Sequence, residues 1–565
     1  MPAQPDLTQT EKDKLRFGVD FDFREVARRP FTEITPNELG MYKWWGIYHQ
    51  LQKGFFMIRV RIPGGLLTAA QLERAADLAE QHGQGELCIT TRQTLQFHWI
   101  RKDDLYKILE GMQGVGLMTK NACGDVTRNV VSCPLQGVCP CELDGTTELV
   151  AALADDPEIR DQQRNLPRKH KISVAGCGRA CGQTLMNCQG WYPARREPGS
   201  ETSELGWKFH AGGGLGARPY LAKVIFDWVP TDLVLPVAQA VTEGFRRWGD
   251  RRKRAFARLK IVVDRRGAEG FREGILEILR ERGVAGLDRL VPGANPPTVG
   301  DSFLDGQTVI PQRQPGFNII RIMILRSELR TADSKRLAGW ARAYGNGQLM
   351  LTNRQNVELR FVPDDRVEPL LTEIRNAGYP VDGFERFPDM VACVGSTLCN
   401  PSVSDTPNMY WRLWQDASND RRFWQQVGPL RINLTGCPNS CAQHWIADIG
   451  LRGARLRRDA GSQDGFAIHV GGDLSGQGHV GEFVAQVGAD QAVAVIRRLL
   501  THYVTNRIGS EETFGQFARR LGGKRLAQLL GSVPTAETPD NVRNLLMQPV
   551  FDQVLSEARA DESSP

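Results

Sequence analysis

Cysteine supplies the sharpest chemical pattern in this chain of 565 residues. Of its 12 cysteines only four lie beyond Gln189, and they fall in two short strings: Cys393 and Cys399 in ACVGSTLCN, Cys437 and Cys441 in TGCPNSCAQ. The spacing is C-x5-C, 37 residues, C-x3-C. Free thiols packed as small hydrophobes would scatter instead of pairing this way. Structural zinc is the main rival, but its cysteine pairs usually keep two to four residues between ligands. Four thiolates flanked by Gly and Pro, where backbone amides come close enough to hydrogen-bond sulfur, suit an iron–sulfur cluster.

A second set, Cys133 and Cys139 in SCPLQGVC with Cys177 and Cys181 in AGCGRAC, repeats the spacing at a constant offset of 260. It reads either as a vestige holding reduced thiols or as a second metal site, with Cys141 and Cys188 nearby as spare thiols. Basic residues gather in the same half: Arg59 and Arg61 in MIRVRIPGG, Arg128 in ACGDVTRNVVSCP, and Arg168, Lys169 and Lys171 in NLPRKHKISV. In a strand, Lys169 and Lys171 face one side. Two ammonium groups on one face repel unless an anion sits between them, although a solvated basic edge has the same pattern.

The elements that must position these residues come in duplicate. Gly54 to Gln93 aligns without gaps on Gly316 to Gln355, with 16 of 40 positions identical at an offset of 262. Each copy reads as an apolar strand, a helix with Ala and Leu on one face, and a second strand ending near T-x-R-Q, followed by another helix. A repeat this long argues for two halves related by a pseudo-two-fold, with function at their seam. Pro292 to Gly316, rich in Pro and Gly, reads as the linker, and the polar ends read as frayed.

Composition bounds the class. With 41% hydrophobic and 24% charged residues the chain is globular, not disordered, collagen-like or a disulfide scaffold. No apolar run approaches membrane-spanning length and the start lacks a secretory pattern, so a cytoplasmic protein without a membrane partner is expected. The net charge of +6 favours anionic ligands without demanding nucleic acid.

With these strings in view, the chain resembles the siroheme-containing nitrite and sulfite reductase family over nearly its whole length, TGCPNSCAQ being among that family's most specific strings. The resemblance implies a duplicated α+β fold: two ferredoxin-like half-domains joined in one domain, plus two siroheme/Fe–S α/β domains. Its boundaries here are a tail at 1–14, half-domain 15–117, siroheme/Fe–S domain 118–291, linker 292–315, half-domain 316–380, siroheme/Fe–S domain 381–535 and a tail at 536–565. It implies siroheme and a 4Fe-4S cluster, held by Cys393, Cys399, Cys437 and Cys441, with Cys441 also bridging to the siroheme iron. Arg59, Arg128, Lys169 and Lys171 fall on the positions that surround the substrate, and Arg92, Gln96 and His98 on positions that contact the cofactor. One departure is Cys88, four residues before Arg92, where enterobacterial-type sulfite reductases carry another siroheme-contacting Arg. In relatives the first-half cysteine set is generally degenerate, so the retention of Cys133, Cys139, Cys177 and Cys181 is not explained by descent.

The activity implied is six-electron reduction of sulfite to sulfide or of nitrite to ammonia. Lys171, where plant-type nitrite reductases have Asn, favours the larger and more highly charged sulfite. No G-x-G-x-x-G opens a nucleotide fold, so electrons are expected from another protein, ferredoxin-like in character. The run Phe245 to Arg266, with ten Arg or Lys against two Asp, is the candidate docking surface. A nucleic-acid-binding zinc protein would account only for that run and the cysteines, and a simple electron carrier would not need the converging cations.

Overall fold

The computed structural model describes residues 7–531 except 144, 198–202, 295, 303, 305 and 459–460. In the first copy of the repeat, the strand Phe55–Arg59 leads through Leu66–Thr68 to the helix Ala69–His82, then to the strands Glu86–Ile89 and Leu95–Arg101. Thr68 and Gln71 form a capping box at the helix start, which satisfies two backbone amides that would otherwise be orphaned. Leu72, Ala75, Ala76 and Ala79 make the buried face of that helix. The second copy repeats the order with Phe317–Ile322, Glu328–Arg330, the helix Thr331–Tyr344, Gln348–Leu351 and Val357–Pro363.

The two copies trade edge strands. Glu328–Arg330 of the second copy pairs antiparallel with Glu86–Ile89 of the first, Leu329 opposite Leu87. Reciprocally, Leu66–Thr68 of the first pairs with Gln348–Leu351 of the second, Leu67 opposite Leu349. Two five-stranded sheets result, each closed by a strand of the other copy, so neither half leaves those ladder groups unpaired. One apolar core runs through both, from Phe56, Ile58 and Phe97 to Ile320, Leu337 and Leu359. The pseudo-symmetry extends to side chains: Gln93 donates from Nε2 to the Leu351 carbonyl at 3.1 Å, and Gln355 to the Ile89 carbonyl at 2.9 Å.

Two further sheets carry the cysteines. In the first, Val131–Ser132, Ile172–Val174 and Gln189–Arg195 run parallel before antiparallel strands complete six. In the second, Val391–Ala392, Ile432–Thr435 and Ile449–Arg458 do the same in a sheet of five. Cys133, Cys177, Cys393 and Cys437 all lie just past the carboxyl ends of the short parallel strands, where open α/β sheets bind ligands because the loops there diverge. The architecture is thus α+β and duplicated. Among the described residues no helix is long and apolar enough to cross a membrane.

Two expectations change. Within the N-terminal stretch 1–14, residues from Gln9 onward belong to a helix reaching Phe17, not a frayed tail. It is anchored by Lys14, whose ammonium is buried against the Leu166 carbonyl at 2.9 Å and the Asp125 carboxylate at 3.8 Å. The stretch 292–315 is woven into the fold: Val309–Pro311 is an edge strand, Val299 and Gly300 bridge to Gly476 and Arg179, and Leu304 is buried beside the first-half cysteines. The tail 536–565 lies outside the described residues.

Candidate functional site

The second-half cysteines converge from two loops. Tight backbone approach explains the TGC string: a Cβ on Gly436 would lie 2.0 Å from Ser402 Oγ, and the Gly436 amide donates to Cys393 Sγ at 3.2 Å. Cys393 also accepts from the Gly395 amide, Cys399 from Ser402 and Cys437 from Asn439. Burial first, then the neighbouring sulfurs, pushes the Cys393 thiol up to about 11 and Cys399 to about 12. Such a cluster of sulfurs is stable as thiolates only around a metal centre. Among the described residues no three His, Cys, Asp or Glu side chains converge on one ion. Sulfurs supplied with amide donors, as Cys393, Cys399 and Cys437 are, suit a cubane. Cys441 stands out as exposed while Cys437 is buried, and its carbonyl accepts from Thr91 Oγ1 of the other half at 2.7 Å.

That contact brings the first-half cations to the same place. Arg59 and Gln96 are cross-strand partners. With its amide oriented to satisfy both groups, Gln96 Oε1 accepts from Arg59 Nε at 3.1 Å, while Arg59 Nη1 donates to Cys123 Sγ at 3.4 Å. Arg59 lies within electrostatic reach of Cys441 and Cys399. His98, two residues along from Gln96 and so on the same face, is buried with both ring nitrogens unpartnered. Burial and then Arg59 hold its pKa down at about 3.

Arg128 is aimed by its own loop. Nε and Nη2 donate to the Gly124 carbonyl at 2.9 and 2.6 Å and Nη1 to Ala122 at 3.3 Å, leaving two of its five N–H groups for a ligand. A parallel bridge joins Thr127 to His170, so Arg128 runs beside the lysine strand. His170 is buried with its Nδ1 3.1 Å from Thr127 Oγ1, and the alternation turns Lys169 and Lys171 together toward the pocket. Burial first, then the Arg258 and Arg168 guanidiniums, lowers Lys169 to about 7, with the Cys441 sulfur opposing. Burial and then Arg92 and Lys169 push Lys171 well below the usual lysine range. Arg92 is fixed by Asn187 Oδ1 at 2.7 Å and by the Asn129 carbonyl, its pKa lowered to about 9 by burial against the surrounding cations.

The pseudo-symmetric pocket is built oppositely. At positions 262 further on, Arg321, Arg354, Glu358 and Arg360 replace Arg59, Arg92, Gln96 and His98. Arg321 pairs with Glu385 at 3.1 Å, Arg354 with Asp389 at 2.9 Å and with Glu385 at 3.3 Å. Arg360 donates to the Gln136 carbonyl at 2.9 Å. That pocket neutralises itself, whereas Arg59, Arg92, Arg128, Lys169, Lys171 and Arg258 have no carboxylate partner among the described residues. Unneutralised cations and an unpartnered buried histidine beside an exposed thiol are the complement of a polycarboxylate macrocycle joined to a cluster, so the residues fit siroheme on one side only.

Some residues fall elsewhere than their sequence context suggested. Arg61 is buried and donates to the Ala154 carbonyl at 3.0 Å, outside the pocket. Cys88 lies at the seam opposite Glu328. Arg258, read from sequence as part of the docking run, instead faces Lys169, Lys171 and Arg92. The place of Arg258 inside a charge run carried no signal of this. Thr91, which clasps Cys441, was visible only as part of the T-x-R-Q string.

Comparison with known proteins agrees with this geometry. Residues 123–282 and 387–535 match the nitrite and sulphite reductase 4Fe-4S domain, and residues 48–115 and 310–377 match the nitrite/sulfite reductase ferredoxin-like half domain. A ferredoxin–nitrite reductase of Synechococcus elongatus is 32% identical over 81% of this chain and 88% of its own length. A ferredoxin sulfite reductase of Mycolicibacterium paratuberculosis is 30% identical over 92% and 96%. The structure of the Mycobacterium tuberculosis NirA protein superposes with a TM-score of 0.82 at 28% identity, covering 92% of this chain and 97% of that one. The chain therefore belongs to the nitrite and sulfite reductase family, oxidoreductases that pair siroheme with a 4Fe-4S cluster.

Proposed function

We propose that this chain reduces sulfite to sulfide by six electrons taken one at a time from an external ferredoxin-type donor. The observation that carries the choice of anion is Lys171, a second recessed ammonium beside Lys169 in a pocket of uncompensated cations. Each added cation favours a dianion over a singly charged one. Cys393, Cys399, Cys437 and Cys441 would hold the cluster, with siroheme beside Cys441, and the bound cofactors would supply the site at which electrons reach the anion. Arg92, Gln96 and His98 hold the cofactor's periphery.

The chain's own side chains do the rest. Arg59 and Arg128 hold the anion's oxygens with their remaining N–H groups, in the planar geometry that suits an oxyanion. Because burial and neighbouring cations hold Lys169 at about 7, its ammonium gives up a proton readily as an oxygen departs as water. Lys171, kept protonated by the anion bound beside it, adds positive charge next to the leaving oxygens. The external donor follows from the ferredoxin-dependent activity in the names of the relatives.

Replacing Lys171 by Asn should shift the ratio of kcat/KM values toward nitrite by about tenfold or more, equivalent to ~1.4 kcal/mol of differential transition-state stabilisation. A ratio that stays within about twofold of the parent removes the basis for sulfite. Nitrite is the second reading, favoured by the relatives named for it.

A further inference from the structure

The first-half cysteines are not a relic in geometry. Cys133, Cys139, Cys177 and Cys181 leave the carboxyl ends of adjacent parallel strands, as Cys393, Cys399, Cys437 and Cys441 do in the other half. Their sulfurs interact: Cys133 lies within hydrogen-bond reach of Cys181 and in electrostatic reach of Cys139, while Cys139 and Cys177 reach Cys181. More telling are the amides. The Leu135 N–H donates to Cys133 and the Arg179 N–H to Cys177, which are the counterparts, 260 residues earlier, of Gly395 on Cys393 and Asn439 on Cys437. The Cys141 amide adds a third, to Cys139 Sγ at 3.4 Å. Even the outer clasp is mirrored: Asn353 Nδ2 donates to the Cys181 carbonyl at 2.8 Å as Thr91 does to Cys441.

Amide-to-sulfur hydrogen bonds support thiolates bound to iron and offer little to a protonated thiol in an apolar pocket. We propose that Cys133, Cys139, Cys177 and Cys181 hold a second four-iron four-sulfur cluster, one that carries no siroheme. The haem-side difference is explicit. Cys441 is exposed toward free cations, whereas Cys181 is buried with its sulfur 3.4 Å from Ser302 Oγ, beneath Leu304, and next to a pocket whose arginines are already paired. The two C-x3-C loops meet on the pseudo-two-fold, where Gln183 and Gln443 donate to each other's Oε1 at 3.0 and 3.1 Å. Each glutamine is two residues from its Cys181 or Cys441, at most about 7 Å along the chain. The proposal does not depend on which anion is reduced.

The test uses the full-length holoenzyme, purified anaerobically and, in a parallel sample, reconstituted with ferrous iron and sulfide. About eight cluster irons and eight labile sulfides per siroheme, besides the siroheme iron, are expected, against about four of each if only the second-half site is filled. The Cys177→Ala/Cys181→Ala double variant should lose about four irons and four sulfides while its siroheme absorption stays at the parent level, which also reports folding. In the reduced parent protein the EPR spectrum should contain a cluster signal that this variant lacks. About four cluster irons per siroheme in both parent samples overturns the proposal, and that count needs no variant. So does one zinc without additional iron, or a double variant that keeps the parent's full iron content.

Discussion

In the proposed assembly Cys441 carries one demand more than Cys393, Cys399 and Cys437: besides closing the cluster with them, it must face the cations. Its exposure beside buried Cys437, its carbonyl clasp from Thr91 and its reach to Arg59 and Lys169 all serve that position. Cys441→Ser should therefore lose siroheme absorption and cluster iron together. A variant that retains the siroheme spectrum unchanged while losing iron would break the link between the two centres. The candidate cysteine ligands were legible in the sequence because spacing within a loop is a local, covalent property. Arg258 was not, since its approach to Lys169 is made by packing across about ninety residues of chain, and a charge run does not say which member turns inward.

At the scale of elements, the seam between the halves rests on a few buried amides and one awkward carboxylate pair. Gln355 Oε1 accepts from the Ala392 amide at 3.0 Å while its Nε2 donates to the Ile89 carbonyl at 2.9 Å, so one side chain ties the exchanged sheets to the strand that launches Cys393. Gln355→Leu leaves two buried backbone groups unpaired and should destabilise the protein by about 2–4 kcal/mol, read as a lower denaturation midpoint and faster cluster loss on heating. An effect below about 0.5 kcal/mol, the size of an ordinary surface substitution, would show that the seam does not need it. Glu328, opposite Cys88 and near Glu86, is held above the usual carboxylate range by burial and then by Glu86, against the opposing pull of Arg326. The folded chain thus binds this proton more tightly than the unfolded one. Stability from this group is complete at low pH and is lost as pH rises through the raised pKa. Glu328→Gln should flatten that decline, gaining melting temperature at about pH 8 relative to about pH 5. Parallel parent and variant profiles would refute this assignment.

For the whole molecule, charge and symmetry decide what a partner meets. Much of the run from Phe245 is engaged by partners within the protein: Arg246 and Arg247 on Glu243, Arg251 on Glu11, Arg254 on Asp125, and Lys260 on the Gly214 and Leu215 carbonyls. Arg252, Lys253, Arg265 and Arg266 remain exposed outside any of these ion pairs. Turnover with an acidic ferredoxin should weaken with salt while turnover with a small reductant does not. Reversing Arg252 and Lys253 to Glu should change the KM for the donor by less than about twofold, because isolated exposed charges contribute little. A larger rise would restore that run as the docking face. The duplication, the 4Fe-4S spacing and the α+β class were readable in the chain alone, because repeats, ligand spacing and hydrophobic period are recorded in linear order. The tertiary structure alone decided that the N-terminal helix and the segment after Val291 are built into the fold, and that one pseudo-symmetric pocket keeps its cations free while the other pairs them. Those outcomes depend on which carboxylate each arginine meets, and Glu385 and Asp389 reach Arg321 and Arg354 only once the second half-domain has packed against the cysteine-bearing domain that follows it.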